Sequence, residues 1–260
     1  VLTYEVDGWT RFVMIDAGLS PRKTLPLLRA SGLQPGQLDA IILTHLDRDH
    51  WHDSWATARP PQARFIVHRR HERSLRRRDR MGIEAIHEST PVAPGVNLAP
   101  VVLSHDEEGV AAFRFEISSA GTPPARLGFA TDLGHATEEF IAHFRGVDVL
   151  AIESNYCPKM QLASSRPAFL KRRIMGGAGH LSNQQARDAI ESIAPRTHVV
   201  LLHLSRECNR PEIVSEMHAG ADYALTISTQ DRPTRWVPVV AHEASMEVAI
   251  TTRQPMLFGA

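Results

Sequence analysis

The chain has 260 residues, 43% hydrophobic and 22% charged, with 29 basic side chains against 29 acidic ones. That is the profile of an ordinary globular protein long enough to bury a sizeable core, and its charge balance selects no partner. Two cysteines, Cys157 and Cys208, exclude a disulfide framework or a thiolate zinc cluster and fit a reducing compartment.

No stretch is long and apolar enough to span a membrane and no charged-then-apolar leader opens the chain, so a cytoplasmic protein is expected. It starts at Val1 inside strand-like sequence, which suggests that natural residues precede it. Without repeats or a dividing linker, residues 1–260 read as a single domain, with weak signals after Val240. Leu2 to Val6 and Trp9 to Ile15 form a hairpin about Asp7-Gly8, and Ser20-Pro21 opens a helix ending near Gly32. Ala40 to Leu43 is a buried strand, because aliphatic residues follow one another without polar alternation. Ala63 to His68 is another strand, followed by an arginine-rich run over residues 69–80, and Pro91, Pro94 and Gly95 mark a loop. Strands follow at Pro100–Ser104, Ala111–Ser118 and Arg126–Thr131, then a helix over Ala136–Phe144 and a strand over Asp148–Ile152. After a less regular stretch, Ser182-x-x-Gln185 is a capping box opening a helix to about Ala194. His198–Leu202 is a buried strand, Pro211 starts a helix stopped by Gly220, and Tyr223–Ser228 returns as a strand.

Chemistry concentrates after the strand that ends at Leu43. Seven of the nine residues from His45 to Asp53 are ionisable, in the order His45-x-Asp47-x-Asp49-His50. Imidazole nitrogen and carboxylate oxygen together suit borderline divalent metals, so a metal loop outweighs a solvated polar turn. Four more apolar runs also hand over to an imidazole or carboxylate, at His105, Asp132, Glu153 and His203. Strand ends gather along one edge of a layered sheet, so these groups can converge although they are far apart in sequence.

The order His-x-Asp-x-Asp-His, then a single His, a single Asp and a last His, resembles the metallo-β-lactamase superfamily. Ile15-Asp16-Ala17-Gly18-Leu19-Ser20, Glu153-Ser154-Asn155, Leu170-Lys171-Arg172-Arg173-Ile174, Gly179-His180-Leu181-Ser182-Asn183 and His203-Leu204-Ser205-Arg206-Glu207-x-Asn209 are more similar to its WalJ/YycJ-type branch, related to ribonuclease Z. The resemblance runs from about residue 10 to about residue 237 and takes in Gln230-Asp231. It implies an α/β fold, the four-layered αβ/βα sandwich, and two divalent metal ions. His45, Asp47 and His105 would hold one, Asp49, His50 and His203 the other, with Asp132 bridging. Asp47 departs from the usual histidine. A carboxylate there hardens the site and moves preference from zinc, the first expectation, toward manganese or iron, with a one-metal enzyme as the alternative.

The resemblance further implies that His180 donates a proton to the leaving group while Glu153 orients it, so that Asp49, His180 and Glu153 form the catalytic set. Without the resemblance, His180 reads as a turn histidine beside glycines. The seven arginines within residues 69–80, among them Arg76, Arg77 and Arg78, read first as a solvated helix face and second as a strip for nucleic-acid phosphates. Arg172, Arg173 and Asn155 are further candidates to face substrate. Only 71 residues separate Asp132 from His203, too few for the large inserted domain of the β-CASP enzymes, and no Gly/Pro-rich arm of the ribonuclease Z kind is visible. A phosphodiesterase or nuclease acting on DNA or RNA, with no membrane partner, is the leading function. The alternatives are hydrolysis of a small ester, lactone or cyclic phosphate, and a non-catalytic binding protein on the same fold. The sequence leaves the oligomeric state open.

Overall fold

A computed structural model describes residues 1–78, 82–103, 108–118, 121–177, 179–230 and 233–242. In chain order its elements are β1 (Leu2–Val6), β2 (Trp9–Ile15), α1 (Pro21–Ala30), β3 (Leu38–Leu43), α2 (Trp55–Ala58), β4 (Arg64–His68) and α3 (Arg69–Arg78). Then come β5 (Ile83–Ile86), β6 (Thr90–Ala93), β7 (Val96–Leu103), β8 (Val110–Ile117), β9 (Ala125–Ala130), α4 (Glu138–Phe144) and β10 (Val149–Glu153). The last are α5 (Pro158–Ala163), α6 (Ala168–Met175), α7 (Asn183–Ile193), β11 (His198–Leu202), α8 (Pro211–Met217) and β12 (Ala224–Ile227).

Two sheets result, one in the order β1-β2-β3-β4-β5 and the other in the order β12-β11-β10-β9-β8-β7-β6. From β2 to β5 neighbouring strands are parallel, as they are from β9 to β12. β1 and β6 to β8 pair antiparallel. Alternation along each strand builds the layers. Ala40 and Ile42 of β3 join Phe113, Phe115, Val149 and Ala151 in the core between the sheets. Ile41 and Leu43 face outward onto Leu28, Trp55 and Leu75 of the first helical layer. Leu150 and Ile152 of β10 face the second, against Phe140, Phe144, Ala186 and Ile190. Both faces of β3 and β10 are therefore covered, which explains their unbroken apolar runs. The four layers are those of the αβ/βα sandwich.

Two stretches differ from the sequence expectation. The proline-marked loop at 91–95 is a β6–β7 hairpin, turning at Pro94-Gly95. Pro91 is tolerated because β6 is an edge strand, where a missing N–H breaks no ladder on the open side. The less regular stretch before Ser182 contains α5 and α6, each too short for its apolar periodicity to stand out. The capping box forms as read. Ser182 Oγ accepts from Gln185 N–H at 3.3 Å, and Gln185 Oε1 accepts from Ser182 N–H at 2.9 Å. Pro21 sits in the first turn of α1 without a side-chain cap from Ser20.

Candidate metal centre

The parallel strands send their C-terminal ends to a shared edge, and the ionisable side chains follow. Asp16 succeeds β2, Thr44 and His45 succeed β3, Asp132 comes two residues after β9, Glu153 ends β10 and His203 succeeds β11. Asp132 Oδ2 of the second sheet lies 2.9 Å from His50 Nε2, which belongs to the loop after β3, so the two edges meet here. Asp16, Asp132 and His203 all have positive φ, at 58°, 56° and 57°. Non-glycine residues in this region cost energy and persist where surrounding contacts hold them. Here the turn lets the chain leave the strand while its side chain stays at the edge.

The loop from His45 to His52 is clamped by the turn after β2. Ala17 N–H donates to His50 O at 2.7 Å, and His52 N–H donates to Ala17 O at 2.9 Å. A Cβ on Gly18 would stand 1.6 Å from Asp49 O, so only glycine permits this approach. Asp16 supplies the polar half of the clamp. Its Oδ1 accepts from Thr44 N–H at 2.8 Å, and its Oδ2 lies 2.8 Å from His50 Nδ1. In the sequence Asp16 stands only as part of the Ile15–Ser20 motif, with no role attached. The signal was present, since it is one more carboxylate at a strand end.

Every imidazole of the cluster has one nitrogen engaged from behind. His45 Nδ1 lies 3.0 Å from Thr44 Oγ1, and His50 Nδ1 lies 2.8 Å from Asp16. His203 Nδ1 and His180 Nδ1 each lie 3.2 Å from Glu153 Oε2. That arrangement presents Nε2 to the centre, as a metal-binding histidine requires. The fit to a metal is strongest at His50. Its Nε2 is buried and makes no hydrogen bond among the described residues, although Asp132 Oδ2 is close, because the two atoms are not aligned for one. A buried imidazole nitrogen without a hydrogen bond, beside a buried carboxylate oxygen that among the described residues accepts only from Thr131 Oγ1 at 3.0 Å, suits a cation between them. His45, His50 and Asp132 offer ligand atoms within 4.8 Å of one another, as do Asp49, His50 and His203. Asp47 Oδ2 is 3.8 Å from His45 Nε2, and Asp49 Oδ2 is 3.7 Å from His50 Nε2. His105 lies outside the described residues.

Electrostatics agree with a site that wants positive charge. Burial works against the charge of Asp132, yet His50, His203 and His180 hold its carboxyl far below the usual carboxylate range. Glu153 is completely buried, which would raise its pKa, and the hydrogen bonds of His180 and His203 bring it below its ordinary value instead. Burial opposes charge on His50 as well, but Asp16 and Asp132 lift the imidazole well above its ordinary value. His203 is raised against the same opposition by Glu153 and Asp132. Buried carboxylates facing imidazoles need protons or cations to balance them.

Glu153 is held as firmly as the cluster it serves. Its Oε1 accepts from Leu133 N–H at 2.6 Å and Leu181 N–H at 3.0 Å. His180 Nδ1 also stands 3.3 Å from Asp132 Oδ1, which joins the pair to the ligand cluster. A Cβ on Gly179 would approach Arg173 O and Ile174 O at 2.6 Å, so this glycine lets the His180 loop lie on the end of α6. Beneath lies a buried polar network. Asn209 Nδ2 donates to Ser154 O at 2.8 Å and to Asn155 O at 3.0 Å, and Asn183 Nδ2 donates to Asn209 Oδ1 at 3.0 Å. It pins the segments carrying Glu153, His180 and His203 to one another.

A cavity of about 340 Å³ opens on the cluster, walled by Asp47, Asp49, Asp132 and His180 and by Arg166, Leu170, Arg173 and Ile174 from the α6 side. Arg173 thus reaches the cavity, whereas Arg172 is exposed on α6 and does not line it. Arg166, which no sequence motif marks, is steadied by Glu207 Oε2 at 2.6 Å. Asn155 is buried and donates its amide to His203 O at 2.8 Å, a bracing contact. Arg76 lies exposed on α3 and pairs with Glu72 at 2.8 Å. The side chains of Arg77 and Arg78 lie outside the described residues, as does Asp231. Cys157 and Cys208 are free thiols, Cys208 fully buried.

Comparison with known proteins gives the same family. Exodeoxyribonuclease WalJ of Streptococcus pneumoniae is 24% identical over 241 residues, covering 85% of this chain and 88% of that protein. Exodeoxyribonuclease YycJ of Bacillus anthracis is 22% identical over 209 residues, 77% of each chain. Among solved structures, the metallo-β-lactamase fold protein YhfI of Bacillus subtilis superposes with a TM-score of 0.62 at 14% identity, covering 87% of both chains. No helix among the described residues is long and apolar enough to cross a membrane. Residues 11–204 match the beta-lactamase superfamily domain. The chain therefore belongs to the beta-lactamase superfamily and is a hydrolase of the metallo-β-lactamase fold, a fold that works with divalent metal ions.

Proposed function

We propose that the protein is a metal-dependent phosphodiesterase that cleaves DNA, by a reaction in which His180 protonates the leaving oxygen. The observation that carries this reading is Glu153, fully buried and set 3.2 Å from both His180 Nδ1 and His203 Nδ1. One carboxylate thus braces a candidate metal ligand, His203, and the His180 imidazole side by side. His45 and Asp47, with His105, would hold one ion. Asp49, His50 and His203 would hold the second, with Asp132 between them. A pair of divalent ions there, zinc first and manganese or iron in view of Asp47, supplies Lewis acidity and lowers the pKa of a water.

The remaining work falls to side chains. Glu153 accepts from His180 Nδ1–H at 3.2 Å, which leaves Nε2 as the atom from which a doubly protonated His180 ring would hand its proton to the leaving oxygen. Asp49, exposed at the cavity wall, would take a proton from the attacking water. Arg173 offers a guanidinium to non-bridging phosphate oxygens, whose planar geometry it matches. Two curated relatives named exodeoxyribonucleases support DNA as the substrate. The test is elemental analysis of the purified protein, together with assays on a bis-aryl phosphodiester, labelled DNA and RNA, a lactone and a chromogenic cephalosporin. Phosphodiester and DNA hydrolysis lost in Asp132→Ala is the expected result. Fewer than about one metal ion per chain, with Asp132→Ala matching wild type on every substrate, would refute enzymatic function. Activity on the lactone alone would move the reading to small esters.

A further inference from the structure

We propose that α6 is a strand-guiding helix: Phe169 stacks an unpaired base of a DNA single strand while Arg173, one turn on, holds its phosphate beside the metal centre. The inference rests on the phosphodiesterase reading and extends it to the form of the substrate.

Phe169 is 66% exposed, among the most solvent-open of the large apolar side chains. A single exposed apolar residue is ordinary on a protein surface. The surroundings of this one are not. Leu170, Arg173 and Ile174 turn one face of α6 to the cavity that holds Asp47, Asp49, Asp132 and His180. At 100° per residue, Phe169 lies about 40° from Arg173 around the helix axis, on the flank of that face. The Arg173 side chain makes no hydrogen bond or ion pair within the described residues, so its five donors are available to a ligand.

The charge of the helix selects the occupant. Lys171, Arg172 and Arg173 are consecutive, and no acidic residue interrupts Ala168–Met175. At the cavity wall Arg166, paired with Glu207 at 2.6 Å, adds a second guanidinium to that of Arg173. An aromatic platform beside a basic track is what a single strand requires, since every base has a π-face and every linkage an anionic oxygen. A duplex keeps its bases stacked inside and offers none to Phe169. A protein partner would be an apolar or acidic surface, and neither explains why Arg173 stands at the wall of the cavity that holds the ligand cluster. The arrangement therefore fits a frayed or single-stranded end fed toward the scissile phosphate.

The experiment measures equilibrium binding of the intact protein to a phosphorothioate-linked DNA strand of about eight nucleotides, within the span such grooves cover. An abasic strand of the same length, an RNA strand and a DNA duplex serve as comparisons. Phe169→Ala should weaken binding of the base-bearing strand about ten-fold and leave the abasic strand unchanged. Phe169→Trp should restore it. Arg173→Ala should weaken both strands and reduce the slope of log affinity against log salt by about one. Equal loss on base-bearing and abasic strands, or no loss on either, overturns the inference, as does tighter binding of RNA or duplex than of the DNA strand. Wild-type hydrolysis of a bis-aryl phosphodiester is followed in parallel and reports the catalytic centre alone. Hydrolysis without base-dependent binding overturns this inference and leaves the phosphodiesterase reading intact. Base-dependent binding without hydrolysis does the reverse.

Discussion

Replacing Asp16 by asparagine should strip the site of metal without unfolding the protein. In the native chain Asp16 Oδ1 accepts from Thr44 N–H at 2.8 Å, and Oδ2 lies 2.8 Å from His50 Nδ1. Asparagine keeps the first contact, because its amide oxygen can occupy the Oδ1 position. Its NH₂ group then faces His50 Nδ1, and two donors cannot share that space. The ring relieves the conflict by moving its proton to Nε2, the nitrogen otherwise turned to Asp132 and Asp49 at 2.9 and 3.7 Å. A protonated Nε2 cannot ligate a metal. A hydrogen bond to a charged group contributes about 1.5–3 kcal/mol. At about 1.4 kcal/mol per factor of ten, this corresponds to a loss of roughly 10- to 150-fold in affinity. Mutation of a carboxylate behind a metal-bound histidine typically costs about 10- to 100-fold, a range reached independently. Chelator competition near neutral pH on wild type and Asp16→Asn reads the number directly, with circular dichroism as the check on folding. Metal affinity within about two-fold of wild type in a folded Asp16→Asn protein would refute the bracing argument.

Other outcomes follow from the same contacts. His180→Ala should slow cleavage of diesters with poor leaving groups by about 10²- to 10⁴-fold and activated aryl diesters far less, and equal slowing would remove the proton-donor role. Gly18→Ala should destabilise the fold by about 1–3 kcal/mol or more and lower metal content, because its Cβ would overlap Asp49 O. Denaturant melts with metal analysis would expose the error if both matched wild type. His68 is buried, and that burial, with His71, Arg70 and Arg69 nearby, lowers its pKa from 6.5 to about 4. Arg70 N–H donates to its Nδ1 at 3.3 Å, which requires that nitrogen to be unprotonated. The unfolded chain therefore takes up a proton first, so this contribution to stability is whole above pH 6.5 and falls as pH drops toward 4. Urea titrations across that window should show a shallower pH dependence in His68→Gln than in wild type, and identical slopes would exclude His68 as the cause.

Local sequence pattern carries the strands and the chemistry at their ends. Ala40–Leu43 and Asp148–Ile152 read as strands because both faces of β3 and β10 are covered, so their aliphatic runs are uninterrupted. His45, Asp47, Asp49, His50, Asp132, Glu153 and His203 follow such runs, and their residue types already speak of metal and proton chemistry. Capping is local too, which is why Ser182 and Gln185 were legible from four consecutive residues. Tertiary structure decided everything that depends on partners far apart in the chain. Asp16 and His50 are 34 residues apart, and His203 and Glu153 are 50 apart, so neither bracing contact has a sequence signature. The left-handed backbone at Asp16, Asp132 and His203 is equally silent, since no glycine marks it and only the surrounding contacts hold it there. Nor does α6 announce itself: eight residues carry too few turns for a period to show, and only packing brings Arg173 to the cavity wall. Local pattern fixes which groups stand at strand ends; packing of the two sheets fixes which nitrogen of each histidine faces the centre.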